Sequence, residues 1–186
     1  MIYLWKMPDD YPQEFIGRYV RQSSPDRFLF LKGIPISSRI SLPHIEFDIP
    51  PNKLAEFDIL PNSAMVPLVS GRVSEVLSKL CPNDVQLIDA EVIANGCRVE
   101  GYKLLNATQL VSYVDHDNSD FVFIPNTDAI MKFNQLRLTP KCMVDHEIAR
   151  ETEYTSYLYV SQQVKQAFEA NKWQGYAFLP PESVHP

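Results

Sequence analysis

The sequence predicts an α+β domain: a mixed or antiparallel sheet with a few amphipathic helices on one face, preceded by a Pro-rich irregular N-terminal arm. Three observations predict it. Apolar residues fall into many short runs of strand length, bounded by Gly, Pro and Asn. Only two segments carry apolar residues at helical spacing. Eight of the fifteen prolines lie in residues 1–61, where they break helices and central strands. Residues 1–65 are therefore read as an arm or subdomain packed on a core domain of residues 66–186. A chain of 186 residues buries about 70% of its unfolded surface and folds without staples.

Taken in order, Phe28-Leu-Phe-Leu31 and Ile45-Glu-Phe-Asp-Ile49 predict short strands. Phe47 alternates with Glu46 and Asp48, as in an edge strand with one wet face. At Ser70 the pattern changes. Ser70 is a helix cap, and Val73, Val76, Leu77 and Leu80 follow at i, i+3, i+4 and i+7, so residues 71–80 form an amphipathic helix that Pro82 stops. Along Val85–Ile93 the residues Ile88, Ala90 and Val92 share one face. Asn95-Gly96 then turns the chain into Cys97–Leu105, because a type I′ hairpin needs φ > 0 at both central positions.

Leu110, Val111, Tyr113 and Val114 fit a strand or the start of a helix. Residues 115–120 are polar and turn-forming. Phe121-Val-Phe-Ile124 reads as a buried strand, and Met131, Phe133, Leu136 and Leu138 as a further strand or short helix. Tyr157–Val160 is a strand. Ser161 caps a helix whose stripe is Val164, Ala167 and Phe168 and which ends near Lys172. Tyr176–Leu179 closes the unit.

Charge narrows the function classes. The net charge is −6, which disfavours nucleic acid and anionic membranes as partners. Residues 115–153 hold eight acidic and four basic groups, most of the surplus. Cys81, Cys97 and Cys142 form no CxxC pair, so neither a zinc ribbon nor a redox motif is expected. The N-terminal residues lack an apolar core of signal-peptide length, and no apolar run approaches a membrane span. The expected location is cytoplasmic.

Motifs of chemistry are lacking. Six scattered glycines make neither GxGxxG nor a P-loop, and no GxSxG elbow occurs. His116 and His146 each lie between acids, but neighbours in sequence point apart and no HExxH spacing is present. Solvated acidic loops account for both triplets. No catalytic residue, cofactor or metal is expected. Trp5 and Tyr11 belong to an aromatic-rich N-terminal segment that either covers the sheet or meets a partner.

Several segments together resemble a known family. They are Gly33–Ser37, Val69–Leu77, Asp84–Val92, Tyr102–Asn106 running on to Asp115, Tyr157–Phe168 and Gly175–Phe178. Their order and spacing resemble the eleventh immunity-protein family of bacterial polymorphic toxin systems, over roughly residues 30–180. Asp115 with Ser119 resembles a recurrent Asp-x-x-x-Ser at the end of the central strand. The resemblance implies a protein that binds a cognate toxin and blocks it. The acidic balance favours a basic toxin, since complementary charge speeds encounter. Asp115, Asp117, Asp120, Asp145, Glu147, Glu151 and Glu153 are the expected source of negative potential, with Trp5 or Tyr11 as an apolar anchor. Self-association into a homodimer stays open. Two other readings stay open beside it: a small hydrolase or transferase with a dispersed site, and a subunit of a larger assembly paired through a sheet edge.

Overall fold

The computed structural model describes residues 1–37, 39–140 and 142–184. Strands dominate, and they form sheets stacked through three apolar cores. One sheet has the order β10 (Leu110–Val111), β13 (Ile148–Glu151), β14 (Leu158–Ser161), β1 (Ile2–Lys6) and β15 (Ala177–Leu179). Its β10–β13 pair is parallel and the rest antiparallel. A second, antiparallel sheet runs β4 (Ile59–Leu60), β5 (Leu68–Ser70), β9 (Tyr102–Ala107) and β6 (Val85–Asp89). A third, mixed sheet runs β2 (Arg18–Tyr19), β3 (His44–Phe47), β7 (Glu91–Ala94) and β8 (Cys97–Val99). A hairpin of β11 (Asp120–Phe123) and β12 (Ile130–Gln135) completes the strands.

The period-2 alternation of strand side chains explains the stacking. On β9, Tyr102 and Leu104 enter one core while Leu105 and Ala107 enter another. On β1, Tyr3 and Trp5 point to the central core and Leu4 to the opposite one. The central core thus lies between the five-stranded sheet and the antiparallel sheet. It takes in the apolar stripes of α2 (Gly71–Leu80) and α3 (Gln162–Asn171), through Val73, Leu77, Val164 and Phe168. A short α1 (Pro51–Leu54) buries Leu54 in the core behind β9.

The mixed α+β class holds, and helix 71–80 has the predicted bounds. Ser161 caps α3, accepting hydrogen bonds from the N–H groups of Gln163 and Val164. Ser70 sits at the N-cap of α2, but its hydroxyl donates to Asp58 at 3.2 Å instead of capping. The Asn95-Gly96 turn is present: both residues have positive φ, and Ala94 pairs with Cys97.

Four expectations need correction. The irregular N-terminal arm is not found: β1 is sandwiched between β14 and β15, and β2 and β3 pair in the third sheet. The prolines fall between these strands, so they punctuate the sheet without excluding the segment from it. Residues 27–31 form a 3₁₀ turn and not a strand, because Asp26 accepts a hydrogen bond from the N–H of Phe28 and starts the turn. β3 is an inner strand, flanked by β2 and β7. The run 85–93 divides at Ala90 between two sheets, although Ile88, Ala90 and Val92 do share one core.

At Gly175 a side chain is excluded by backbone. Its φ is +97°, and a Cβ there would lie 1.9 Å from the carbonyl oxygen of Ile59. That close approach lets Gln174 accept from the N–H groups of Asp58 and Ile59.

Candidate protein-interaction surface

The acidic stretch 115–120 is a built turn. Asp115 accepts from the N–H groups of Asp117 and Asn118 and from the Asn118 amide, an arrangement that favours Asp at a turn start. Ser119 Oγ accepts from the Arg137 N–H at 2.9 Å and donates to the Arg137 carbonyl at 3.1 Å. Asp115 and Ser119 therefore both serve the turn, which leads directly into β11.

A second turn, between β13 and β14, comes up beside it. Glu151 is 0% exposed. Its carboxylate accepts from the Tyr113 N–H at 3.0 Å, the Tyr159 hydroxyl at 3.1 Å and the Glu153 N–H at 3.2 Å. Burial pushes its pKa up, while these hydrogen bonds pull the other way. Arg150, 1% exposed, donates through Nη1 to the carbonyl of Thr155. Burial brings its pKa down to about 10. These two buried groups set the turn from below. Above them Glu153 reaches across to His116, with Nε2 2.7 Å from Oε2.

An aromatic row joins the two turns to the core. Tyr157 stacks on Phe133 with centroids 5.6 Å apart. Phe133 meets Phe121 at 5.8 Å, Phe121 meets Phe123 at 5.2 Å, and His116 lies edge-on to Phe121 at 5.3 Å. Edge-to-face pairs at these spacings are favourable. The row begins buried and ends in solvent, where Phe123 is 48% exposed beside exposed Ile124 and Met131. The buried strand expected at 121–124 is thus half open. Its partner strand lies alongside, and core residues contact only one side of it.

The predicted acids do not all gather here. Glu153 pairs with His116, and Asp115, Asp117 and Asp120 belong to the turn that carries His116 and leads into Phe121. Of these, Asp117 and Asp120 are exposed, and Asp120 accepts from the Asn134 amide at 3.1 Å. Asp145 and Glu147 lie at the other end of β13. There, buried Asp84 accepts from the N–H of Glu147 at 2.6 Å and of Ile148 at 3.3 Å, and lies 3.1 Å from His146 Nδ1. Glu147 takes the Ser161 hydroxyl. Trp5 is 7% exposed and packs edge-on against Phe168 and Phe178 in the central core. Tyr11 is buried against Phe57.

The sequence reading did not pair His116 with Glu153, took Phe121 and Phe123 as part of a buried strand and not of a surface, and passed over Asn134. A signal was available for Phe123: an apolar pair, Phe123-Ile124, ends the strand that follows the acidic turn.

Chemically this surface offers negative charge beside an apolar knob. Its side chains pair with one another or project into solvent. Elsewhere, Cys81 lies near Asp84, but its thiol donates to the Leu77 carbonyl, and burial raises its pKa to about 12. A nucleophilic cysteine needs the opposite shift. Among the described residues no group of three His, Cys, Asp or Glu side chains is placed to hold a metal ion. No helix among them is long and apolar enough to cross a membrane. The model of a family described as Immunity protein family (Imm11) matches residues 15–182. Among curated proteins none matches the chain.

Proposed function

The chain belongs to the Imm11 immunity protein family, and from that premise we propose that it neutralises a bacterial toxin by direct contact, without chemistry of its own. The toxin is basic and belongs to a polymorphic toxin system, and the encounter takes place in the cytoplasm. The contact surface is formed by residues 115–123 with 152–154. The observation that carries this reading is the His116–Glu153 contact, which joins the acidic 115–120 turn to the 152–154 turn beside an aromatic row that runs out to half-exposed Phe123. Negative potential steers a basic partner and sets its orientation. A rigid, half-exposed phenylalanine supplies the anchor that most interface energy depends on. Glu151, Trp5 and Tyr11 are left out of this surface because their side chains are buried.

Co-expression with the toxin encoded by the adjacent gene tests it. The triple variant Asp117→Lys, Asp120→Lys and Glu153→Lys is expected to lose protection while keeping the far-ultraviolet circular dichroism of the native chain. Full protection by a folded triple variant removes this surface from the account.

A further inference from the structure

A groove of about 360 Å³ opens between the β4–β5 connection, the β13–β14 turn and the end of β1. That volume is within the range of about 300–1,000 Å³ usual for binding clefts. Its walls include Met7, Ile16, Met65, Val66 and Tyr157. Among the residues lining it, Lys6 alone is charged, in a chain whose net charge is −6. Lys6 makes no ion pair among the described residues. Its Nζ lies 4.6 Å from the centre of the Tyr157 ring, and burial lowers its pKa despite the nearby Asp9.

A second observation concerns the rim. Met65 has φ of +62° and is 53% exposed. This is a left-handed conformation that a branched or long side chain adopts only under constraint. Asn62 imposes it: its amide donates to the Val66 carbonyl at 2.7 Å, its Oδ1 accepts from the Ala64 N–H at 3.0 Å, and its own carbonyl accepts from the Met65 N–H at 3.0 Å. A glycine would satisfy this backbone without strain. The chain instead carries an adaptable apolar side chain there, held open to solvent at the mouth of an apolar groove. Methionine at such a position suits an irregular protein partner.

We infer that the groove seats an apolar segment of a protein partner bearing an aspartate or glutamate, whose carboxylate pairs with Lys6 while its apolar residues lie against Met65 and Tyr157. The complementarity is one cation in a mostly apolar cleft with no carboxylate among the residues that line it. The inference does not depend on which toxin the acidic surface meets, since Lys6 and Met65 lie outside that surface and the charge is opposite, although the β13–β14 turn borders both.

The experiment is to pan a random peptide display library on the purified full chain and to titrate the enriched peptides, as synthetic peptides, against wild type and two variants. Enriched sequences are expected to combine apolar residues with Asp or Glu. Lys6→Gln should weaken them by about tenfold, the value of a charge-assisted contact, and should leave their Asn or Gln counterparts unaffected. Met65→Gly should also weaken them, while raising or preserving thermal stability because it relieves the left-handed backbone. Failure to enrich any peptide, or enriched peptides indifferent to both variants, overturns the inference.

Discussion

His116 Nε2 lies 2.7 Å from Glu153 Oε2. This one contact ties the turn after β10 to the turn after β13, 37 residues later in the chain. Ser112 donates to the same carboxylate at 3.4 Å. Two polar turns that look like separate solvated loops are thereby made into one surface, and the face of Phe121 is enclosed by His116.

The aromatic row should separate stability from binding. Phe133 is 2% exposed, so Phe133→Ala is expected to cost about 3–5 kcal/mol of stability. Phe123→Ala removes a half-exposed ring and should change stability by no more than about 0.5 kcal/mol. It should nevertheless weaken the toxin complex by about 2 kcal/mol. Urea unfolding and titration calorimetry of both variants check this.

Glu151 uses both carboxylate oxygens as acceptors, one for Tyr113 and Tyr159 and the other for Glu153. Glu151→Gln turns one oxygen into a donor that meets a donor. A loss of about 1–3 kcal/mol is expected, the cost of leaving a buried group unsatisfied. Hydrogen exchange of the Tyr113 and Glu153 amides should quicken in the variant. Unchanged exchange would mean that the turn is held by its other hydrogen bonds, among them those from Thr152 to the Val111 carbonyl.

Asp84 holds the start of β13 to the antiparallel sheet through the amides of Glu147 and Ile148. Asp84→Ala strands both N–H groups. It should destabilise the fold by about 1–3 kcal/mol for each group that finds no other partner. The lowered urea midpoint should accompany an unchanged affinity for the toxin, because this region lies away from Phe123.

Alkaline pH should weaken the fold. Burial raises the hydroxyls of Tyr19, Tyr102 and Tyr157 to about 12, against about 10 in an unfolded chain. Between these values the native state keeps protons that the unfolded state has lost. Stability therefore falls as pH rises from about 10 to about 12 and is intact below that window. The urea midpoint should drop between pH 9 and pH 11. Phenolate absorbance should appear at pH 11 in urea but not for these three residues in the native chain.

Much of the secondary structure was legible in local pattern. Helix 71–80, the Ser161 cap and the Asn95-Gly96 turn each depend on residues within one turn of each other, and their chemistry acts over that range. The turn at 115–120 was legible for the same reason. What local pattern could not carry was pairing partner. Nothing in Ile2–Lys6 says that it inserts between β14 and β15, over 150 residues away. Nothing in Phe28–Leu31 outweighs its strand-like composition except the cap from Asp26.

The same division runs through the candidate surface. The sequence by itself determined that residues 115–153 are acid-rich, that the chain lacks motifs of chemistry, and that it resembles an immunity-protein family. Composition and short motifs are sums over neighbours, so they survive without coordinates. Only the tertiary structure decided which acids meet. It buried Glu151 beneath Tyr159, sent Glu147 to Ser161, and brought Glu153 to His116 beside a half-exposed Phe123. The physical reason is the strand itself: successive side chains point to opposite faces, and which face meets water depends on a sheet assembled from distant segments.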